Sequence, residues 1–276
     1  MYVKIYTIML NMKQLSFLLL FTFVIAGCNV NTLDTETPIE KGTSQTNQVI
    51  VLGMIHSGHL SSSRYSISFL TDLIVEIDPD IILTEIPPDR FNQANEEFKQ
   101  QGFISEPRVS VFPEYTQVVF PLTRELDFQI IPTAGWTQQM ASARSQKLNE
   151  IAQNPSRSAE WSEYQRALQE SGRAVTAGGR PDDPYWIHTD AYDQAQDIGL
   201  SVYNRLFNDE LGLGGWDNIN AAHYANIEKT LDENSDLGLR ILITYGSAHK
   251  GWFLRELRQR DDITLLDIKP FLDAIR

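Results

Sequence analysis

The sequence predicts an α/β fold: a mainly parallel central sheet flanked by helices, with a helical insertion over the carboxyl edge of the strands. Three observations lead there. Short apolar, β-branched runs bounded by turn residues recur at 49–52, 81–85, 128–132, 241–245 and 263–268, and such runs read as buried strands. The first two are joined by a segment of helical period within about 35 residues, the length of a βαβ unit, whose strands are parallel. Two of the runs, near opposite ends of the chain, finish in one shared pattern, Gly53-Met-Ile-His56 and Gly246-Ser-Ala-His249. Most of the sequence between them reads as scaffold that brings the two histidines together.

At 276 residues the chain has room for one α/β domain of ordinary size, or one such domain carrying a large insertion. A hydrophobic content of 42% supports a packed core. The formal net charge of −13 argues against a nucleic-acid partner, because phosphate binding needs a basic footprint. It is compatible with cation binding, and equally with a solvated acidic surface.

The lone cysteine, Cys28, rules out an intrachain disulfide. Lys13 precedes an apolar run over 15–25, and Ile25-Ala26-Gly27-Cys28 follows. A charged start, a short apolar core and small residues at a cleavage point make a secretory signal, and Met12-Lys13 supplies the usual short leader. The tetrad resembles a bacterial lipobox, in which the cysteine is lipidated and becomes the mature first residue. A membrane helix with an incidental cysteine is the alternative, although the run is short for a span. Several acyl chains on one cysteine anchor firmly where a single chain does not. The expected location is therefore the bacterial cell envelope, with Asn29 leaning toward the outer membrane where the cell has one. Residues 1–28 form the leader, 29–48 a flexible tether rich in Thr, Asn, Glu and Gly, and 49–276 the domain.

Along the domain, 49–52 is a buried strand. Ile67, Leu70, Ile74 and Ile77 mark one face of a helix over 63–77, which Asp78-Pro79-Asp80 breaks. The second strand, 81–85, ends in Glu85, and Pro87-Pro88 stop the ladder just beyond it. Residues 89–101 are polar and partly helical, 112–126 have helical period, and 128–132 is the third strand. From about 137 to 237 the texture turns to Gln, Ser, Ala, Glu and Arg with aromatics at helical spacing. Helices are expected there at 137–153, 158–170, 191–206 and 218–231, with a loop over 174–184. A fourth strand at 241–245, a helix over 252–260, a closing strand at 263–268 and a tail helix over 270–275 complete the chain.

Ligands of parallel sheets bind beyond the carboxyl ends of the strands. His56, Glu85 and His249 each stand at or just past such an end, and Gly53 and Gly246 are expected to let the backbone turn tightly there. Two histidines and one carboxylate form a common ligand set for a divalent metal with positions left open. Such a metal acidifies water and polarises a carbonyl. Without metal, a histidine base with a glutamate partner is the chemistry left open. Singly, each residue reads as readily as a hydrogen-bonded turn residue, a helix cap or an arginine partner; their joint occurrence points to a site.

The motifs resemble the TraB/PrgY/Tiki group of the erythromycin-esterase-like superfamily in three places, 53–56, 81–85 and 246–249. Residues 220–227 also resemble that group's Arg-Asn-x-x-Met/Ile-x-x-Asn-Ile helix, with Asn220 and Asn226 matching and Ile219 where the group has arginine. The resemblance spans roughly 49–134 and 216–269. It implies metal-dependent proteolysis as in Tiki-like members, restraint of peptide pheromones as in PrgY-like members, or ester opening by His and Glu; one lipoprotein branch of the superfamily binds haem. The expectation is a metal-dependent hydrolase of a peptide or ester bond, with Mn, Zn, Co or Fe. The alternative is a non-catalytic lipoprotein that binds haem or a peptide signal, or a degenerate member kept as an interaction domain.

His59, Arg64, His188 and Asn226 are the candidates for contacting substrate or standing behind the ligands. His59 also reads as a surface residue, His188 as structural, and His223 as packed or solvent-facing. Gly212-Leu-Gly214-Gly215 is no phosphate loop, since no strand precedes it and no Lys-Ser/Thr follows. The chain holds no Gly-x-Ser-x-Gly elbow, and its one cysteine is the expected lipid site, so Ser or Cys nucleophiles are disfavoured.

Overall fold

The computed structural model describes residues 45–276, so the expected leader, Cys28 and most of the expected tether lie outside the described residues. The first strand, β1, runs Asn47–Met54, two residues longer at its start than hydrophobicity suggests. Asn47 explains the extension. It is 1% exposed, its amide donates to the Asn234 carbonyl at 2.7 Å, and its Oδ1 accepts from Leu239 N–H at 2.8 Å. A short 3-10 turn, His56–Leu60, leads to α1 (Ile67–Ile77), which Ser66 caps by accepting from Phe69 N–H.

Strand β2 (Ile81–Thr84) is followed by α2 (Pro88–Gln101), with proline at the helix start, where its missing N–H costs nothing. The expected helix over 112–126 is instead a π-helical turn, Tyr115–Val119, followed by the single turn α3 (Phe120–Leu122). Pro121 has no N–H to continue the ordinary ladder, and Phe120 N–H reaches back to the Tyr115 carbonyl. Strand β3 (Gln129–Pro132) comes next.

The region between β3 and β4 is helical, as its texture predicts: α4 (Gln138–Gln153), α5 (Ser158–Gly178), α6 (Pro184–Ile187), α7 (Asp190–Phe207) and α8 (Trp216–Glu233). The loop expected to begin at 174 begins at Gly179. Val175 is buried and its carbonyl accepts from the Trp186 indole N–H at 2.9 Å, which carries the helix two further turns than its polar sequence suggests. A Cβ at Gly178 would lie 2.1 Å from the Trp186 ring, so the helix ends where that ring needs the space.

Strand β4 (Arg240–Gly246) passes straight into α9 (Ser247–Leu257), five residues earlier than the expected helix. Strand β5 stops at Ile263–Leu265, and α10 is Lys269–Ala274. The expected strand to 268 is cut short because Asp267 Oδ1 accepts Lys269 N–H in a local turn and Ile268 folds into the core.

All strands are parallel, in the order β3-β2-β4-β1-β5. The two faces of the sheet are buried by different helices. Ile50, Leu52, Met54, Ile82 and Leu242 pack with α1, the π-helical turn and α10. Val49, Val51, Leu83, Ile241, Ile243 and Tyr245 pack with α8 and α9. Burial on both faces is why the strands read as unbroken apolar runs, and each such side chain contributes roughly 1.5–3 kcal/mol. A third, smaller core of Ile151, Tyr203, Phe207 and Leu211 holds α4, α5 and α7 together. Among the described residues no helix is long and apolar enough to cross a membrane.

The connections matter for the site. Strands β1 and β4 lie side by side, yet the chain leaves β1 toward α1 on one face and leaves β4 toward α9 on the other. The two strands stay paired up to Met54 and Gly246, and the chain parts only beyond them, at the switch point where ligands of open parallel sheets bind.

Removing the Asn47 side chain in Asn47→Ala leaves one half-buried donor, Leu239 N–H, and one half-buried acceptor, the Asn234 carbonyl, without their partner beside the start of β1. Urea unfolding is expected to report a loss of about 2 kcal/mol, with an unchanged m-value.

Candidate active site at the strand switch point

Glu85 follows β2 immediately and is buried. Its backbone N–H donates to the Tyr115 hydroxyl at 2.8 Å, and that hydroxyl donates to the Thr244 carbonyl at 2.8 Å. The fully buried tyrosine thus bridges the ends of β2 and β4. The carboxylate is fixed separately: Glu85 Oε2 accepts Gly246 N–H at 2.9 Å.

The two histidines approach this carboxylate from either side. His56 Nε2 lies 3.9 Å from Glu85 Oε2, and His249 Nε2 lies 3.9 Å from Glu85 Oε1. In both rings the other nitrogen is occupied. His56 Nδ1 donates to Glu114 Oε1 at 2.6 Å, and Glu114 is fully buried. His249 Nδ1 donates to Asn220 Oδ1 at 2.7 Å; the Asn220 amide nitrogen is spent on the Trp216 carbonyl, so its oxygen must face the histidine. Each ring is held as the tautomer whose Nε2 carries a lone pair toward Glu85.

Their surroundings separate the two histidines. Burial opposes charge on His56, but the hydrogen bond and charge of Glu114, with the charge of Glu85 added, outweigh it and raise its pKa. Burial dominates at His249 and lowers its pKa; Glu85 pulls it up and His56 pushes it down. The side-chain exposures of His56, Glu85 and His249 are 37%, 10% and 12%, so the group opens to solvent on the His56 side. Aromatic rings wall it: Phe112 is 5.1 Å from His56, and Trp216 stacks on His249 at 4.8 Å.

Both glycines serve close approach rather than a turn, since neither has a positive φ. A Cβ on Gly246 would lie 2.6 Å from His56 Nε2. A Cβ on Gly53 would lie 3.1 Å from Ser247 and 3.3 Å from Ile187. The residue under backbone strain is His56 itself, at φ 49°. His249, expected in a turn, sits in the first turn of α9.

The four candidates for substrate contact are placed elsewhere. His59 is buried, with Nε2 accepting Ile55 N–H at 3.1 Å and Nδ1 donating to the Tyr65 carbonyl at 2.8 Å, so both ring nitrogens are used. His188 is used in the same way: Gly53 N–H donates to its Nε2 at 3.0 Å and its Nδ1 donates to the Pro184 carbonyl at 2.6 Å, which pins α6 to the end of β1. Burial pushes its pKa down to about 3. Arg64 pairs with Asp183 at 2.9 Å, and Asn226 donates to the Thr133 carbonyl at 3.1 Å, bracing β3. Ile219 is buried, at the position where the resembled group has arginine.

Sequence reasoning passed over Glu114 and Tyr115. The signal was the one charged residue inside the stretch 109–120. It also passed over Trp216; His223, read as packed or solvent-facing, is packed, and its Nδ1 accepts Gly135 N–H at 2.7 Å. Burial, with the charge of His249 added, lowers the His223 pKa well below its usual value, so its Nε2 carries the proton of a neutral ring. Three buried side-chain polar atoms among the described residues have no hydrogen-bond partner: Glu114 Oε2, His223 Nε2 and Tyr65 Oη. Glu114 holds His56, His223 packs edge-on against His249 at 5.2 Å, and Tyr65 packs on His59 at 4.6 Å. Among the described residues, no group of three or more His, Cys, Asp or Glu side chains is closed into a metal-binding arrangement.

The fold and this constellation define an α/β protein with a His-Glu-His group at the sheet switch point. Compared with models of known protein families, with curated proteins and with solved structures, the chain matches none.

Gly246→Ala is expected to keep the helical circular dichroism signal while displacing the His56 ring from Glu114. An NMR titration should then show the His56 pKa falling; an unchanged titration would contradict the packing described. His188 gives a pH dependence. A histidine whose folded pKa lies below its unfolded value stabilises the fold above about pH 6.5 and loses that contribution as pH falls toward the folded value. The urea midpoint should therefore drop between about pH 6.5 and 4, and the drop should be smaller in His188→Gln.

Proposed function

We propose that this protein is a hydrolase of peptide or ester bonds that works with a divalent metal, Mn, Zn, Co or Fe, held by His56, Glu85 and His249. One observation carries the proposal: two imidazole Nε2 lone pairs meet the two oxygens of one carboxylate, each at 3.9 Å, with both Nδ1 atoms engaged behind them. Histidines that ligate metals commonly donate their second N–H to a carboxylate or carbonyl, as His56 does to Glu114 and His249 to Asn220. The donor set suits a borderline divalent cation. Gly246 keeps clear the space that a Cβ would fill beside His56 Nε2.

When bound, such an ion supplies acidity to water and polarises a substrate carbonyl. The chain's own residues do the rest. Gly246 N–H fixes Glu85, Glu114 and Asn220 set the two tautomers, and Phe112 and Trp216 keep apolar surface against the rings. The resemblance to the TraB/PrgY/Tiki group supports the same reading, as do the leader and Cys28 for lipid anchoring on the bacterial cell envelope.

The His56–Glu114 pair at 2.6 Å supports a second reading without metal. There His56, oriented and made more basic by Glu114 and open to solvent, takes a proton from water while Glu85 faces it across the crevice. Non-catalytic binding of haem or a peptide signal is the third outcome.

The deciding experiment is elemental analysis of the full-length protein, wild type beside His56→Ala, His249→Ala and Glu114→Gln, followed by peptide and ester hydrolysis. Near-stoichiometric metal is expected, absent in both histidine variants and held roughly 10–100-fold more weakly in Glu114→Gln. Hydrolysis that survives metal removal and depends on His56 would move the assignment to the second reading. Neither metal nor hydrolysis would sink both, and a Soret band on haem titration would then identify a binding protein.

A further inference from the structure

Strand β5 is shorter than the sheet it closes. It pairs with β1 only over Asn47, Gln48 and Val49, while β1 continues to Met54. Two bonds fix which residues of β1 face which neighbour. Gln48 N–H donates to the Leu239 carbonyl on the β4 side at 2.8 Å, and Leu266 N–H donates to the Val49 carbonyl on the β5 side at 2.9 Å. Odd-numbered residues of β1 therefore direct N–H and C=O away from β4. Gly53 agrees, since its N–H is the one taken by His188. Val51 lies between these two anchored positions. Its N–H and C=O have no partner among the described residues, because β5 has already turned away.

Val51 lines a cleft of about 600 Å³ between β5, α9, α10 and the start of α7. The size is that of a small-ligand site. Leu254, Leu265, Ile268 and Leu272 supply apolar wall. The cations lining it are already matched: Lys250 by Asp193 at 2.6 Å, Arg258 by Asp190 at 3.1 Å and Lys269 by Asp273 at 2.7 Å. No lining cation is therefore left over for an anionic occupant; Asp267, also in the wall, accepts Lys269 N–H at 2.9 Å. What the cleft offers is one strand-like donor and acceptor pair, with aliphatic surface on either side. Val51 is 5% exposed and lines the cleft, where an incoming strand would reach that pair.

We infer that this cleft binds a short extended peptide segment with aliphatic side chains, which adds parallel to β1 in the place β5 vacates. A ligand carbonyl accepts Val51 N–H, and the ligand N–H two residues further along donates to the Val51 carbonyl, as a parallel ladder requires. Alternate side chains of the segment meet the aliphatic walls. The site shares no residue with the His-Glu-His group and does not rest on the metal reading.

The test uses the full-length ¹⁵N-labelled protein and the probe acetyl-Leu-Val-Leu-amide. Its counterpart, methylated on the backbone nitrogen of the third residue, cannot donate to Val51. The expected result is a saturable shift of the Val51 amide resonance and slowed exchange of that N–H, with the methylated peptide about tenfold weaker. Leu254→Asp should abolish the effect while circular dichroism stays unchanged. Equal binding of the two peptides, shifts that avoid Val51, or no shift at millimolar peptide would each overturn the proposal.

Discussion

The carboxyl edge of the sheet depends on keeping one carboxylate, Glu85, at the end of a buried strand without a cationic partner. No lysine or arginine pairs with it among the described residues; its charged neighbours are two histidines. A buried carboxylate left to itself would be costly. Here the Gly246 N–H on one oxygen offsets part of that cost. That single N–H joins the end of β2 to the end of β4, and the Tyr115 hydroxyl makes a second tie between the same two strands. The strands could not splay without breaking both, so the position of Glu85 is inherited from the sheet and not from a loop.

The π-helical turn is the second contributor. An ordinary helix places successive side chains about 100° apart, whereas the widened turn begins at Tyr115 with Glu114 just before it, and both side chains are fully buried. One holds His56; the other holds the sheet. Such turns recur at functional sites because they re-aim side chains without ending the helix.

The strands were legible because both faces of the sheet are buried, which writes each one as a short unbroken apolar run. His56, Glu85 and His249 were legible because strand ends in a parallel sheet share one edge, and all three stand at such ends. What sequence did not disclose were tertiary bonds made by polar groups. Asn47 extends β1 through contacts with residues 234 and 239. Trp186 prolongs α5 by donating its indole N–H to the Val175 carbonyl. His59 and His188 read in one dimension as candidates for contacting substrate, yet both ring nitrogens of each are consumed by backbone groups, some from residues far away in the chain. Gly53 and Gly246 were correctly marked as special and wrongly explained: the constraint is a neighbour's bulk, not the backbone's own angles.

His56 sits in the left-handed region, where a side chain bearing a Cβ is held only against resistance. Glycine or asparagine would rest there more comfortably. Selection for stability alone thus pulls against this histidine. Under the proposed function the demand that keeps it is the site itself, so in a related chain that has lost the activity, position 56 should change before Glu85 or Gly246.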